Sequence, residues 1–479
     1  MRKSVLLGAL GGMLALTGLL VFLSGCGGAG GPINVPPTPG GPSTSAEFLA
    51  LLPAAQKGAA YIGTADCVVC HTDPASKAPQ IDLAAFHATK HSGVSVGCEQ
   101  CHGPGAAHKA SPSKDTILTF PLITKSVVCA QCHGPMANQV AESAHGERVE
   151  DVFLSTPSNT CIRCHSAPAN TQLIGHELAK GTSAADIDKA ILALTVDQLN
   201  ALKAATSESA SCATCHDAHK TTTNLTWKDG KQAQLRFPES NSNTAALPAA
   251  GLPGVYTTFN QVCGRCHNGR SVDGSDLGMA STARPNMHDS PQYQMLMGFG
   301  AVEIGGGPPV RNTAHASAPG QCTHCHMPNA NHSMVVNFET SCAPCHTAGD
   351  AAARYALRGA IEAQLVTLRT RMQNWALSNL GDLDFWDYTS LIPAPKVAPS
   401  QTKVPMAVRR ARHNYYFIVR DLSNGIHNST YTRYALQVAN TNLDSIGAKS
   451  VKINLTPDQI KAVLKSDRMK MHQIGSAAE

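Results

Sequence analysis

The stretch Cys98-Glu99-Gln100-Cys101-His102-Gly103-Pro104-Gly105-Ala106-Ala107-His108 holds the pattern on which the reading of this 479-residue chain turns. Its first five residues are Cys-x-x-Cys-His. The same register returns at Cys67/Cys70/His71, Cys129/Cys132/His133, Cys161/Cys164/His165, Cys212/Cys215/His216, Cys263/Cys266/His267, Cys322/Cys325/His326 and Cys342/Cys345/His346. These eight copies consume every one of the 17 cysteines except Cys26. A zinc ribbon or a thiol switch needs paired cysteines but no histidine locked to the next position. Eight of eight with that histidine are the attachment signature of c-type haem, in which two thiols add across the porphyrin vinyl groups and the adjoining imidazole faces the iron. The sequence therefore predicts eight covalently bound haem c groups, with the histidine of each motif as an iron ligand.

The leftover cysteine belongs to an export signal. Arg2 and Lys3 precede an apolar run from Val5 to Leu23, which ends in Leu23-Ser24-Gly25-Cys26. That tetrapeptide resembles the bacterial lipoprotein box, which makes Cys26 the lipidation site. Gly27 to Ser45 is rich in glycine, proline, serine and threonine and reads as a flexible tether. Residues 1–25 are thus expected to be a signal peptide, 26–45 a lipidated cysteine and tether, 46–348 the octahaem region, and 349–479 a C-terminal helical region supplying a distal histidine. Haem attachment outside the cytoplasm agrees with export, and Gly27 after the lipidated residue points to the outer membrane, on its periplasmic or its cell-surface face.

The formal charge of +5 does not mark a nucleic-acid binder. Loss of residues 1–25 removes Arg2 and Lys3, and each ferric haem with ionised propionates adds about −1, so the mature oxidised protein stands near −5. Basic side chains read better as propionate partners than as a nucleic-acid patch.

Successive motifs start 31, 31, 32, 51, 51, 59 and 20 residues apart, and aromatic residues make up 5% of the chain. Porphyrin must then supply much of the apolar interior. The expected fold is mainly α, with short helices, extensive haem-wrapping loops and little β-sheet. Two regions without motifs read as helical. Near 182–205, Thr195-Val196-Asp197-Gln198 forms a capping box ahead of Leu199 and Leu202. In the C-terminal third, Leu357, Ile361, Leu365, Leu368 and Met372 make a stripe at helical spacing. Helices over Met406–Leu422 and Tyr431–Leu443 follow, and a short last helix starts at Thr456-Pro457-Asp458-Gln459.

Of the 21 histidines, 13 lie outside the motif ligand positions, more than the eight needed to close every iron. His91 ends a helix-like stretch with His87 one turn earlier. His108, His145, His219, His288, His315, His332 and His427 stand in short polar runs. His324 occupies a variable position of its own motif, and His176, His413 and His472 follow no pattern. Met295, Met297 or Met334 as a ligand would raise a potential, although methionine at these spacings is more often core.

The runs Cys-His-Gly-Pro-Gly-x-x-His at 101–108, Ser-Ala-His-Gly at 143–146, Cys-His-x-x-His at 215–219, Cys-His-Met-Pro at 325–328 with His332, and Gly-Ile-His-Asn at 425–428 resemble multihaem cytochromes c. Similar proteins are the secreted cytochromes of metal-respiring bacteria and the superfamily of cytochrome c-554, ammonia-forming nitrite reductase and hydroxylamine oxidoreductase. The resemblance implies that His91, His108, His145, His219, His288, His315, His332 and His427 are distal iron ligands, with His87 the alternative to His91. It implies a lipid-anchored electron carrier with no catalytic residue, whose partners are other cytochromes, outer-membrane electron-transfer proteins or an extracellular acceptor such as a metal oxide. Self-assembly into a homo-oligomer or filament is a variant of that reading. The rival is a reductase or oxidase of nitrite, hydroxylamine or a sulfur oxyanion, working at one open iron. No Cys-x-x-Cys-Lys occurs, which departs from many nitrite reductases of that superfamily. Tyr415 and Tyr416, active-site candidates by analogy, read as core tyrosines with satisfied hydroxyls.

Overall fold

The computed structural model describes residues 45–119, 126–177, 180–220, 234–237, 261–269, 274–276, 285, 290–311, 313–343 and 345–472. The expected signal peptide, Cys26, most of the tether and His288 lie outside them. Among the described residues the fold is helices and loops, and the β-pairing is one isolated bridge between His216 and Leu235.

Five of the motifs lie wholly or mostly on single short helices, such as Thr64–His71, Glu99–His102, Ile162–His165, Cys212–Cys215 and Cys322–His326. The reason is geometric: one helical turn brings positions i, i+3 and i+4 to the same face, which is the spacing of both thiols and the histidine. The turn then stops. At Gly103 the backbone takes φ 77° and ψ −179°, open to glycine alone, and a Cβ there would come within 2.6 Å of Leu52. Side-chain cores in this half are small and separate, for example Phe48, Leu52, Leu118 and Val128 in one cluster and Ile174, Ile187 and Ile191 in another.

The insert forms α1 (Ala184–Leu192) and α2 (Val196–Ala205). The capping box is present: the Gln198 amide donates to Thr195 Oγ1 at 3.3 Å, and the Thr195 amide donates to Gln198 Oε1 at 2.9 Å. The stretch before His91 breaks into two helices, Leu83–His87 and Lys90–Gly93, because Thr89 caps the second through the Ser92 amide.

The C-terminal region is built differently. α3 (Leu357–Leu380), α4 (Met406–Asp421), α5 (Ser429–Asp444) and α6 (Pro457–His472) surround one continuous core. The last helix has 16 residues and is longer than its sequence suggests. Ile361, Leu365, Leu368 and Met372 are buried, as a helical stripe requires. α4 runs through the middle and buries 12 of its 16 residues, so its polar side chains need internal partners. Tyr415 donates to Asp467 at 2.5 Å and Tyr416 to Asp387 at 2.8 Å; both tyrosines are core groups with satisfied hydroxyls. Met295 and Met297 are likewise core.

This bundle grips the motif-bearing half. Asn414 accepts from the Val302 amide at 2.7 Å and donates to its carbonyl at 3.1 Å, and Tyr431 accepts from the Ala301 amide at 3.1 Å. Asn428 donates to the Arg311 carbonyl at 2.7 Å. The segment leading to His315 is therefore held on the bundle surface.

Candidate haem-binding sites

Seven motif histidines face a second histidine. The ring centroids are 6.3 Å apart for His71 and His108, 6.1 Å for His102 and His219, and 6.2 Å for His133 and His91. They are 6.3 Å apart for His216 and His332, 5.8 Å for His267 and His145, 6.3 Å for His326 and His427, and 6.3 Å for His346 and His315. A metal ion about 2.0–2.1 Å from one nitrogen of each ring separates the centroids by about 6.3 Å, so the pairs fit one iron between each. His87 packs on Phe86 instead, and His413 is buried against the Gly300 carbonyl. His324 turns toward Cys345 Sγ at 3.9 Å. For His165, the expected partner His288 lies outside the described residues.

Hydrogen bonds hold the rings in the ligating form. Nδ1 donates to the carbonyl of Pro79 from His71 at 2.7 Å, of Leu118 from His102 at 2.9 Å, and of Ser113 from His108 at 3.1 Å. His315 donates to Ile426 at 2.7 Å, His326 to Met334 at 3.0 Å and His332 to Ala330 at 2.8 Å. A carbonyl only accepts, so Nδ1 carries the proton and Nε2 keeps its lone pair for a metal. Burial pushes His102 and His267 down to about 4, which keeps them neutral at ordinary pH. His427 is different: burial would lower it, but the Asp421 carboxylate at 2.6 Å raises it above the usual histidine range.

The pairing crosses the chain. His108, just after the second motif, faces the first, and His91, just before the second, faces the third. His219, beside the fifth motif, faces the second; His145, after the third, faces the sixth; His332, after the seventh, faces the fifth. His427 comes from the turn between α4 and α5, where Gly425 takes φ 96°.

Thiol contacts give a neighbour order. Cys67 and Cys98 lie side by side, as do Cys129 and Cys212, Cys263 and Cys322, and Cys164 and Cys266. Cys101 lies near Cys132, Cys215 near Cys263, and Cys325 near Cys342. Motifs one, two, three, five, six, seven and eight therefore follow one another, and motif four abuts motif six.

Three positioning groups escaped the sequence reading. Glu99, the first variable residue of the second motif, is buried and accepts from the amides of Ile62 at 2.9 Å, Gly63 at 2.6 Å and Gly105 at 2.7 Å. It ties the segment before the first motif to the start of the short helix, Ala106–Ala110, that carries His108. Asp350 accepts from His346 at 2.9 Å, and Asp421 from His427. The first two had faint signals: an acid inside a motif and an acid four residues past a motif histidine, in the first turn of the helix that follows it. Asp421, six residues before His427, had none.

Attachment motifs in register with facing imidazoles define the class, a multihaem c-type cytochrome. Over 229 residues, 46% of this chain, the sequence is 26% identical to the C-type polyheme cytochrome OmcB of two Geobacter sulfurreducens strains. The matched region is 27% of that protein, so the chain spans about a quarter of the relative's length. Among solved structures, the undecaheme cytochrome from the S-layer of Carboxydothermus ferrireducens aligns with TM-score 0.46 and 20% identity, over 74% of this chain and 51% of that one. The outer cell wall cytochrome OcwA aligns with TM-score 0.48 and 18% identity, over 73% and 70%. No protein-family model matches.

Proposed function

We propose that this chain is an octahaem electron carrier in which two histidines close every iron, exported and lipid-anchored through Cys26 to the outer membrane. Haem c supplies a one-electron iron couple when bound. The chain's own part is to space the attachment sites, present two imidazole nitrogens at each and exclude water, which needs no proton donor or substrate pocket. The observation that carries the reading is the facing of seven motif histidines by a second histidine, which leaves those seven irons no open face. The neighbour order supports it too, since it strings the attachment sites into a line from motif one to motif eight with motif four as a branch at motif six. Cys70 and Cys345, in the two end motifs, are exposed, as is Cys132 in the third, which suits exchange with a partner cytochrome or an outside acceptor at either end or along the line. Similarity to OmcB supports the same class of work.

The test is an electron paramagnetic resonance spectrum of the oxidised holoprotein, with carbon monoxide added after reduction. Low-spin signals alone and no carbon monoxide shift are expected. A high-spin signal of about one haem that binds carbon monoxide would turn the reading to a reductase, with the iron at His165 as the first place to look.

A further inference from the structure

The line of attachment sites passes, one step before its motif-eight end, through the pair His326 and His427, and this pair differs from the other six described. His326 donates to a neutral carbonyl, that of Met334. His427 donates to Asp421 at 2.6 Å, and the Asp421 carboxylate is fully buried, with a side-chain exposure of 0%. The second carboxylate oxygen accepts from Ser423, whose Oγ also takes the His427 amide at 3.1 Å. Among the other described ligand histidines, His71, His102, His108, His315 and His332 donate to neutral carbonyls, and the carboxylates beside His346 and His219 are each shared with an arginine. Asp350, beside His346, is 43% exposed and shared with Arg354, and Asp217 stands 3.6 Å from His219 and is paired with Arg236.

A buried anion on Nδ1–H draws the proton toward itself and loads Nε2 with negative charge. Such a ligand stabilises ferric over ferrous iron, and low exposure prevents water from screening the effect. We propose that Asp421 is a positioning and tuning residue that makes the iron between His326 and His427 the lowest-potential site of the line, an uphill step that the C-terminal bundle places next to its motif-eight end. This rests on the carrier reading above and on ligation by His427. An uphill step one position from an end makes transfer through that end depend on the driving force of whatever docks there. It also gives the bundle, which carries no motif, a function in setting the rate of transfer through that end.

The experiment is a spectroelectrochemical titration of the full holoprotein and of three variants, with electron paramagnetic resonance as the check on ligation. His427→Met exchanges imidazole for thioether and identifies the component belonging to this iron by a large upward shift. If no component moves in that variant, His427 is no ligand and the reading of the site fails before the question of tuning arises. Asp421→Asn keeps the shape and removes the charge. That same component is expected to rise by at least a tenfold change in its redox equilibrium, 59 mV for one electron, with the spectrum remaining low-spin. Ser423→Ala removes a competing donor from the carboxylate and is expected to shift the component in the opposite direction. It keeps the question answerable should Asp421→Asn fold poorly. An unchanged component in a low-spin Asp421→Asn protein, or a Ser423→Ala shift of the wrong sign, overturns the proposal.

Discussion

The two halves of the molecule solve the burial problem in opposite ways. Between residues 45 and 346 the helices are mostly one or two turns long and the apolar clusters hold three or four buried residues each. From Leu357 to His472 the α-helices run 16 to 24 residues and share one large cluster. A chain that must wrap a cofactor spends its residues on turns and ligands. A chain that packs on itself can extend its helices until an apolar stripe is covered. The bundle thus draws its core from its own side chains, whereas the motif-bearing half has few of its own to offer.

The strongest way to break that comparison is to withhold haem. When the chain is produced without haem attachment, residues 46–348 are expected to lose their fold while the C-terminal bundle persists. Limited proteolysis read by mass spectrometry checks this. Rapid cleavage across the motif-bearing half, with a resistant fragment beginning near residue 349, is the expected pattern. Equal resistance along the whole chain would mean that the small clusters suffice and that the contrast between halves is superficial.

Point changes sharpen it. Leu365, buried on α3 in the large cluster, should cost about 2–5 kcal/mol when changed to alanine, from lost transfer and the cavity left behind. The loss should appear in thermal unfolding followed by far-ultraviolet circular dichroism, with the Soret band unchanged up to the transition. Glu99→Ala in the other half strands three amides that now donate to a carboxylate, on the order of 3 kcal/mol. Its signature is expected to differ in kind: the short helix bearing His108 is released, and the iron at His71 gains high-spin character. Unfolding with unaltered spin state would place Glu99 in general stability rather than in ligand placement.

What the sequence made legible follows the same division. The helical class, the stripe on α3 and the capping box at Thr195 could be read because each is a local pattern with a local physical cause. The motif turns could be read because covalent chemistry admits one register. The choice of His91 over His87 could not be derived, since it depends on Thr89 starting a new helix and turning His91 toward His133. Nor could the crossed order of partners be read, because His219 facing the second motif from beside the fifth is a fact of three-dimensional proximity with no trace in spacing. Asp421 was invisible for a related reason. An aspartate at the end of a helix is ordinary, and only burial beside a ligand gives it weight.

The smallest effect tests the element that lies between the two regimes. α2 has a sequence-encoded start but buries little, chiefly Leu199 against Ile162 and Ala169, next to the fourth motif. Replacing Thr195 with alanine removes one cap hydrogen bond and should cost about 1 kcal/mol. Because the helix is short and half exposed, that loss should be spent locally, as faster hydrogen exchange at the amides of Asp197 and Gln198 with no change in global unfolding. If exchange instead accelerates through Cys161 to His165 as well, then the insert stabilises the fourth motif's turn, and the branch at motif six is held by side-chain packing as much as by its cofactor. If α2 is as protected as α3 and indifferent to the cap, the insert belongs energetically with the bundle, and the boundary between the two ways of building a core is not where helix length alone would draw it.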